Sequence, residues 1–360
     1  MTLQNEYAEL AKACKPHYLR RVARHPFFGY IVLMVMLVVV QLLYMFTGLI
    51  SLTVSQAINT TMILAVAALG VGILLMMAGL MSFGTGAFMG LGTFIAGNLL
   101  KVFDLPFVFY LAAVALAGVV IGVVVGVVSL RAKGIHLLII TMALSGIMGT
   151  MFVLPNTFTG GPSGLSGVPF PTLIFLFDTS RETMYFVVLV VTFLLIAVTL
   201  NIINSSIGRA MLGMSQSESL AQAMGIYLLK YRVLAFVVAT VYSMLAGALY
   251  VASISSSSPY TWTTALSMNI LVAVIIGGTA KPAGVIAGSF IMFCLDLAIL
   301  KSIPFFVENP TFSVFFMGIL IILIVMKYPG GLMWMLASLK YRLQTFRTMR
   351  RLKKYGPDES

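Results

Sequence analysis

Apolar residues follow one another in long uncharged runs along this 360-residue chain, and the polar positions gather in the short stretches between the runs. A bilayer core takes about 20 consecutive apolar residues per helix, and a charge at its centre costs about 2.5–3.5 kcal/mol, so runs of that length read as membrane spans. They fall at 27–50, 57–78, 82–100, 106–130, 134–154, 184–204, 232–252, 264–279, 283–300 and 312–328. The expected fold class is an all-α polytopic membrane protein with about ten transmembrane helices. Residues 27–328 would form the membrane domain, flanked by a basic arm at 1–26 and a basic tail at 329–360.

Composition sharpens this. Of the chain 60% is hydrophobic and 9% charged, against roughly 25% charged in an ordinary soluble domain. A net charge of +12 could mark a nucleic-acid binder, but here the cations are sorted by side. With ten crossings, Arg131, Lys133, Arg209, Lys230, Arg232, Lys281 and a tail from Lys327 to Lys354 share one side with the arm. The other side carries only Lys101, Arg181 and Lys301, accompanied by Asp104, Asp178, Glu182 and Glu308. Cytoplasmic loops retain Lys and Arg during insertion, so both termini are expected in the cytoplasm, with no nucleic-acid partner. The first run is longer than a signal-peptide core and lacks an A-x-A cleavage site, so it reads as a retained span. The arm before it suits the inner membrane surface and its lipids.

Glycines, 32 in all, concentrate in AGLMSFGTGAFMGLGTFIAG (78–97) and IGGTAKPAGVIAGSF (276–290). Small residues let membrane helices approach closely, and Gly or Pro at depth breaks helices around a substrate path. Lys281 and Pro282 at a span boundary favour a break in the second cluster. Gly79, Gly86 and Gly90 also repeat the spacing of Gly277, Gly284 and Gly288, as two related halves would. Between two spans lies the uncharged loop TFTGGPSGLSGVPFP (157–171). Its glycines and prolines call for a compact, specifically folded loop.

Catalytic chemistry is not in view. His17 and His25 sit on the basic arm, His136 begins a span, and Cys14 and Cys294 are too far apart to suggest a disulfide framework or zinc spacing. No Gly-x-x-x-x-Gly-Lys-Ser/Thr loop is present to cradle a nucleotide, so neither an enzyme nor a chain-bound cofactor or metal is expected. Asp296 is the one acid inside an expected span, and an intramembrane acid raises the possibility of ion coupling. Its nearness to Lys301 and the external end favours an interfacial carboxylate. In the loop 205–231, Leu220, Ala223 and Met224 recur at i, i+3 and i+4 and are followed by Gly225. That predicts one short amphipathic cytoplasmic helix over Ser215–Met224, which could lie on lipid or insert into a groove on a soluble partner.

Several stretches in fixed order resemble one known family: GLMSFGTGAFMGLGTF (79–94), LRAKGIHLLIITMAL (130–144), FTGGPSGLSGVP (158–169), GRAMLGMSQSESLAQAMGI (208–226), KYRVLAFVVATVYSMLAGALY (230–250), AVIIGGTAKPAGVIAGSF (273–290) and YPGGL (328–332). Over residues 55–335 the chain is similar to LivM-type permease subunits of branched-chain amino-acid ABC importers. The resemblance implies a bacterial-type inner-membrane permease working with a second permease subunit, two ATPase subunits that carry ATP and Mg, and an external substrate-binding protein. It implies an ATPase-coupling loop at Gly208, Arg209, Glu218, Ala221, Ala223 and Gly225. A translocation path or gate is implied at Ser82, Gly84, Thr85, Gly86, Gly277, Gly278, Lys281 and Pro282, and a docking loop at Thr159, Gly160, Gly161, Pro162, Gly164 and Leu165. The cargo would be leucine, isoleucine or valine, with urea and amides carried by related permeases. Gly213, Met214, Ser215, Gln216 and Ser217 stand where family members usually carry several charges. A secondary transporter driven through Asp296 is the alternative, and the amphipathic helix near Glu218, which such a transporter does not need, separates the two.

Overall fold

The computed structural model describes residues 28–47, 51–103, 106–129, 135–172, 181–278, 281–299, 306, 310–327 and 331–332. Among the described residues there are twelve α-helices: α1 (Phe28–Thr47), α2 (Leu52–Ala78), α3 (Thr85–Val102), α4 (Phe107–Ser129), α5 (Ile135–Val153), α6 (Arg181–Asn204), α7 (Ser206–Gln216), α8 (Glu218–Ala223), α9 (Leu228–Ile254), α10 (Thr264–Gly277), α11 (Pro282–Ser289) and α12 (Pro310–Lys327). Single 3-10 turns occur at Gly161–Ser163 and Pro259–Thr261, and α11 passes directly into a π-helical stretch, Phe290–Ile299. Helices are the outcome because hydrocarbon offers no partner to a backbone N–H or C=O, so each span must satisfy its own.

Met1–Ser55 and Gln56–Ser360 are two compact units. In the first, the Ser55 hydroxyl donates to Gln41 Oε1 at 2.8 Å, which joins two buried polar groups. In the second, α9 is the hub and packs along α3 and α4. Backbone approaches backbone there: a Cβ on Gly92 would overlap the Met244 carbonyl, and one on Gly247 would overlap that of Met89. The Thr93 hydroxyl uses this closeness to donate to the Gly247 carbonyl at 2.9 Å. Membrane helices gain little from apolar burial against lipid, so such close contacts carry their association. Val108, Leu116 and Val124 of α4 point outward and are at least 60% exposed, as lipid-facing side chains are.

Among the described residues six helices, α1, α2, α4, α5, α6 and α9, are long and apolar enough to cross a membrane. The remaining expected spans also correspond to helices, with altered limits. The span expected at 82–100 begins only at Thr85, because Gly79 takes φ +64 and ends α2, and the chain through Gly84 is non-helical. The span expected at 264–279 ends at Gly277, since Gly278 takes φ +89. The single amphipathic helix expected over Ser215–Met224 is two helices, because Ser217 is extended and its hydroxyl accepts from the Leu220 amide to start α8 afresh.

The glycines of the matched spacing differ in their neighbours. Side chains on Gly277 and Gly288 would collide with Gly284 and Ala273, so these glycines press α10 and α11 together, whereas Gly86 and Gly90 meet Thr263, Ser267 and Trp262. The basic arm, the tail beyond Leu332, and Asp104, Arg131, Lys133, Asp178, Lys301 and Glu308 lie outside the described residues.

Candidate functional site

Between α2 and α3 the helix is interrupted, and the freed backbone donors are taken up by hydroxyls from three places. The Phe83 amide donates to Thr141 Oγ1 of α5 at 3.0 Å, that of Gly84 to Ser82 Oγ at 3.2 Å, and that of Gly86 to Ser267 Oγ of α10 at 2.8 Å. The first amides of any helix lack intrahelical partners, and hydroxyls are how a membrane interior accommodates them. Ser82 and Thr85 are themselves buried. With Thr240 and Ser243 of α9 they line a cavity of about 10 Å³ that is otherwise walled by Val71, Leu74, Phe88, Phe236 and Ala239. Thr240 and Ser243 donate back to the carbonyls of Phe236 and Ala239. A space of this size holds at most about one water, so an amino acid does not fit in this conformation.

Gly277, Gly278, Lys281 and Pro282 do not line this cavity. They form a second interruption: Lys281 is extended and exposed, and Pro282 opens α11, where its missing N–H costs nothing. A Cβ on Gly331 would lie 2.6 Å from the Gly278 nitrogen, so the chain near the YPGGL motif rests directly on this break. Asp296 is half-buried on the π-helical stretch.

The loop after α5 is built from inside. Asn156 Oδ1 accepts from the amide and hydroxyl of Thr159 at 2.7 and 2.8 Å, and the Asn98 amide group of α3 donates to the Phe158 carbonyl at 2.6 Å. Leu165 and Ser257 exchange backbone hydrogen bonds of 2.9 and 2.8 Å, and Val168 donates to Ser255 at 3.0 Å. Thr159, Gly161, Gly164 and Leu165 are buried in this arrangement, while Phe158, Gly160, Pro162 and Tyr260 are exposed. The surface so presented, Ser255–Tyr260 included, is uncharged.

The segment α7–α8 is anchored at both ends. Ser205 Oγ accepts from the Gly208 amide, the Arg209 guanidinium donates to the Asn204 carbonyl, and Met211 and Met214 are buried. At the far end Gly225 takes φ +79, and the Ile226 amide donates back to the Ala221 carbonyl, the left-handed stop that glycine allows. Ala221 is buried, whereas Ala223, Leu220 and Met224 stay exposed, the last two at 58% and 71%. Glu218 pairs with Arg232 in the second turn of α9. A cavity of about 470 Å³ separates α7 from the end of α2, bordered by Met76, Gly79, Leu212, Ser215 and Gln216.

Reasoning from sequence missed Thr141, Ser267, Asn98, the Ser255–Trp262 segment and the burial of Arg232. A lone hydroxyl or amide inside an apolar run was the available signal for the first three.

Residues 53–325 match the family described as branched-chain amino acid transport system, permease component. The chain is similar to the high-affinity branched-chain amino acid transport system permease protein LivM of Salmonella typhimurium (strain LT2), at 25% identity over 297 residues, 76% of this chain and 68% of that one. LivM of Escherichia coli (strain K12) is likewise 25% identical over 296 residues, with the same coverage. No solved structure matches the chain.

Proposed function

We propose, from the premise that this chain belongs to the branched-chain amino acid transport permease family, that it forms half of the path through an ATP-driven importer. It moves leucine, isoleucine or valine inward across the bacterial cytoplasmic membrane, with both termini inside. A second permease completes the path, two ATPase subunits with Mg and ATP drive it, and an external binding protein delivers the cargo. The chain contributes no catalysis and binds no cofactor of its own.

The observation that carries this reading is the hydroxyl-lined interruption at Ser82–Thr85, buried beside Thr240 and Ser243. Uncharged hydroxyls beside a broken helix suit a small neutral zwitterion, and broken helices are how membrane proteins place polar groups at midplane. The α7–α8 segment, with Leu220 and Met224 outward, is the surface offered to an ATPase. The folded loop at Thr159–Leu165 is the surface offered to the binding protein. Asp296 does not line the cavity, which weighs against coupling through that acid.

The test is purification of the tagged chain in mild detergent from its own host, followed by identification of co-purifying subunits and a vanadate-sensitive ATPase assay. Recovery of a second permease and two ATPases with hydrolytic activity is expected. An intact homo-oligomer without ATPase activity, observed after cross-linking in the membrane before extraction, overturns the reading.

A further inference from the structure

Arg232 is placed where a cation has little reason to be. It is 9% exposed, it sits near the N-terminal end of α9, and its Nε has no hydrogen-bond partner. A buried charge is tolerated only when paired, and a helix N-terminus disfavours a cation. Its Nη2 donates to Glu218 Oε1, the first residue of α8. Glu218 is the only acid in the sequence between Ser205 and Arg232, and its side chain remains 53% exposed. Ala221 is the only buried residue of α8, so a charge pair rather than a packed apolar joint ties this helix to α9.

The same α9 leads to the hydroxyl cavity. Thr240 and Ser243 lie eight and eleven residues beyond Arg232, about 12 and 16 Å along a helix that rises 1.5 Å per residue. Arg232, Thr240 and Ser243 lie on one continuous helix, so displacement of the Arg232 end of α9 reaches the cavity wall.

We infer that Arg232 is a positioning residue that transmits movement of α8 to α9 and so to the Ser82–Ser243 cavity; this rests on the importer reading. A partner surface that covers the exposed side of the Glu218 carboxylate takes it out of water. Removal of water lowers the local dielectric and strengthens the pair. The tie is therefore stronger when an ATPase surface covers Glu218 than in the free chain.

The experiment uses the complex recovered from its host, with Cys14 and Cys294 replaced by Ser and Ser243→Cys as a reporter. Maleimide labelling of that cysteine is followed without nucleotide and after vanadate trapping with ATP and Mg. In the parent the two rates should differ by about tenfold; E218Q and R232Q should each remove the difference, and R232Q should do so while ATPase subunits still co-purify and hydrolyse ATP. The double exchange Glu218→Arg with Arg232→Glu should restore at least about half of it, which mere loss of packing would not allow. Singles that keep the parent's difference overturn the inference, as does an exchange that rescues nothing. A parent complex that holds active ATPase subunits but shows no nucleotide-dependent change also overturns the inference and leaves the importer reading standing, whereas a parent complex without ATPase subunits removes both.

Discussion

The Gly86 amide donates to the Ser267 hydroxyl at 2.8 Å across 181 residues of sequence, tying the first turn of α3 to the first turn of α10. Both groups are buried. Ser267→Ala leaves a backbone donor without a partner in a dry setting, at a cost of about 1–3 kcal/mol. Thermal unfolding of the detergent-purified complex should show a lowered midpoint for this variant. An unchanged midpoint would mean that another group, or water, takes the amide.

Glycine substitutions should divide sharply by neighbourhood. Gly288→Ala places a methyl against the Ala273 carbonyl and the Gly277 backbone, atoms that cannot move aside without parting α10 from α11. Overpacking of this kind costs about 1–3 kcal/mol. Gly213→Ala in α7 meets nothing within 4 Å, and helix propensity favours it by up to about 1 kcal/mol. Expression level and thermal midpoint should fall for the first and hold or rise for the second.

Gly225 is constrained by conformation rather than by space, since no atom lies near its absent side chain yet φ is +79. Gly225→Val forces a branched residue into the left-handed region at about 1–2 kcal/mol or more and frays the end of α8. Uptake should fall relative to ATP hydrolysis, with membrane insertion unchanged. Equal uptake per ATP in the variant would separate this stop from coupling.

Asp296→Asn tests ion coupling in one step. The carboxylate is half-buried on the π-helical stretch and away from the hydroxyl cavity. Uptake should fall about twofold at most, as expected for a surface or interfacial group outside the path. Abolished uptake at normal expression would restore a gradient-driven mechanism.

Much of the fold was legible as apolar runs, because a membrane span is a local property of about 20 residues that hydropathy alone reports. The break at Pro282 was legible for a similar reason, since proline acts on its own turn. What sequence could not supply were relations across the fold. Arg232 reads as one more cytoplasmic cation until α8 is seen to bring Glu218 to it. The loop TGGPSGL reads as self-contained, yet Leu165 and the following Val168 are hydrogen-bonded to Ser257 and Ser255, far along the chain. Ser217 reads as part of one amphipathic helix, and its extended backbone, with the hydroxyl turned to cap α8, splits that helix in two.

ATP-driven import is tested most directly by accumulation of radiolabelled leucine, isoleucine and valine in cells expressing the chain with its partner subunits. Uptake should persist when a protonophore collapses the ion gradient while ATP is maintained, and Ser243→Thr, whose one added methyl takes up the cavity of about 10 Å³, should sharply lower it at unchanged expression. Uptake that vanishes with the gradient while ATP remains high, or that survives the filled cavity, would contradict the account.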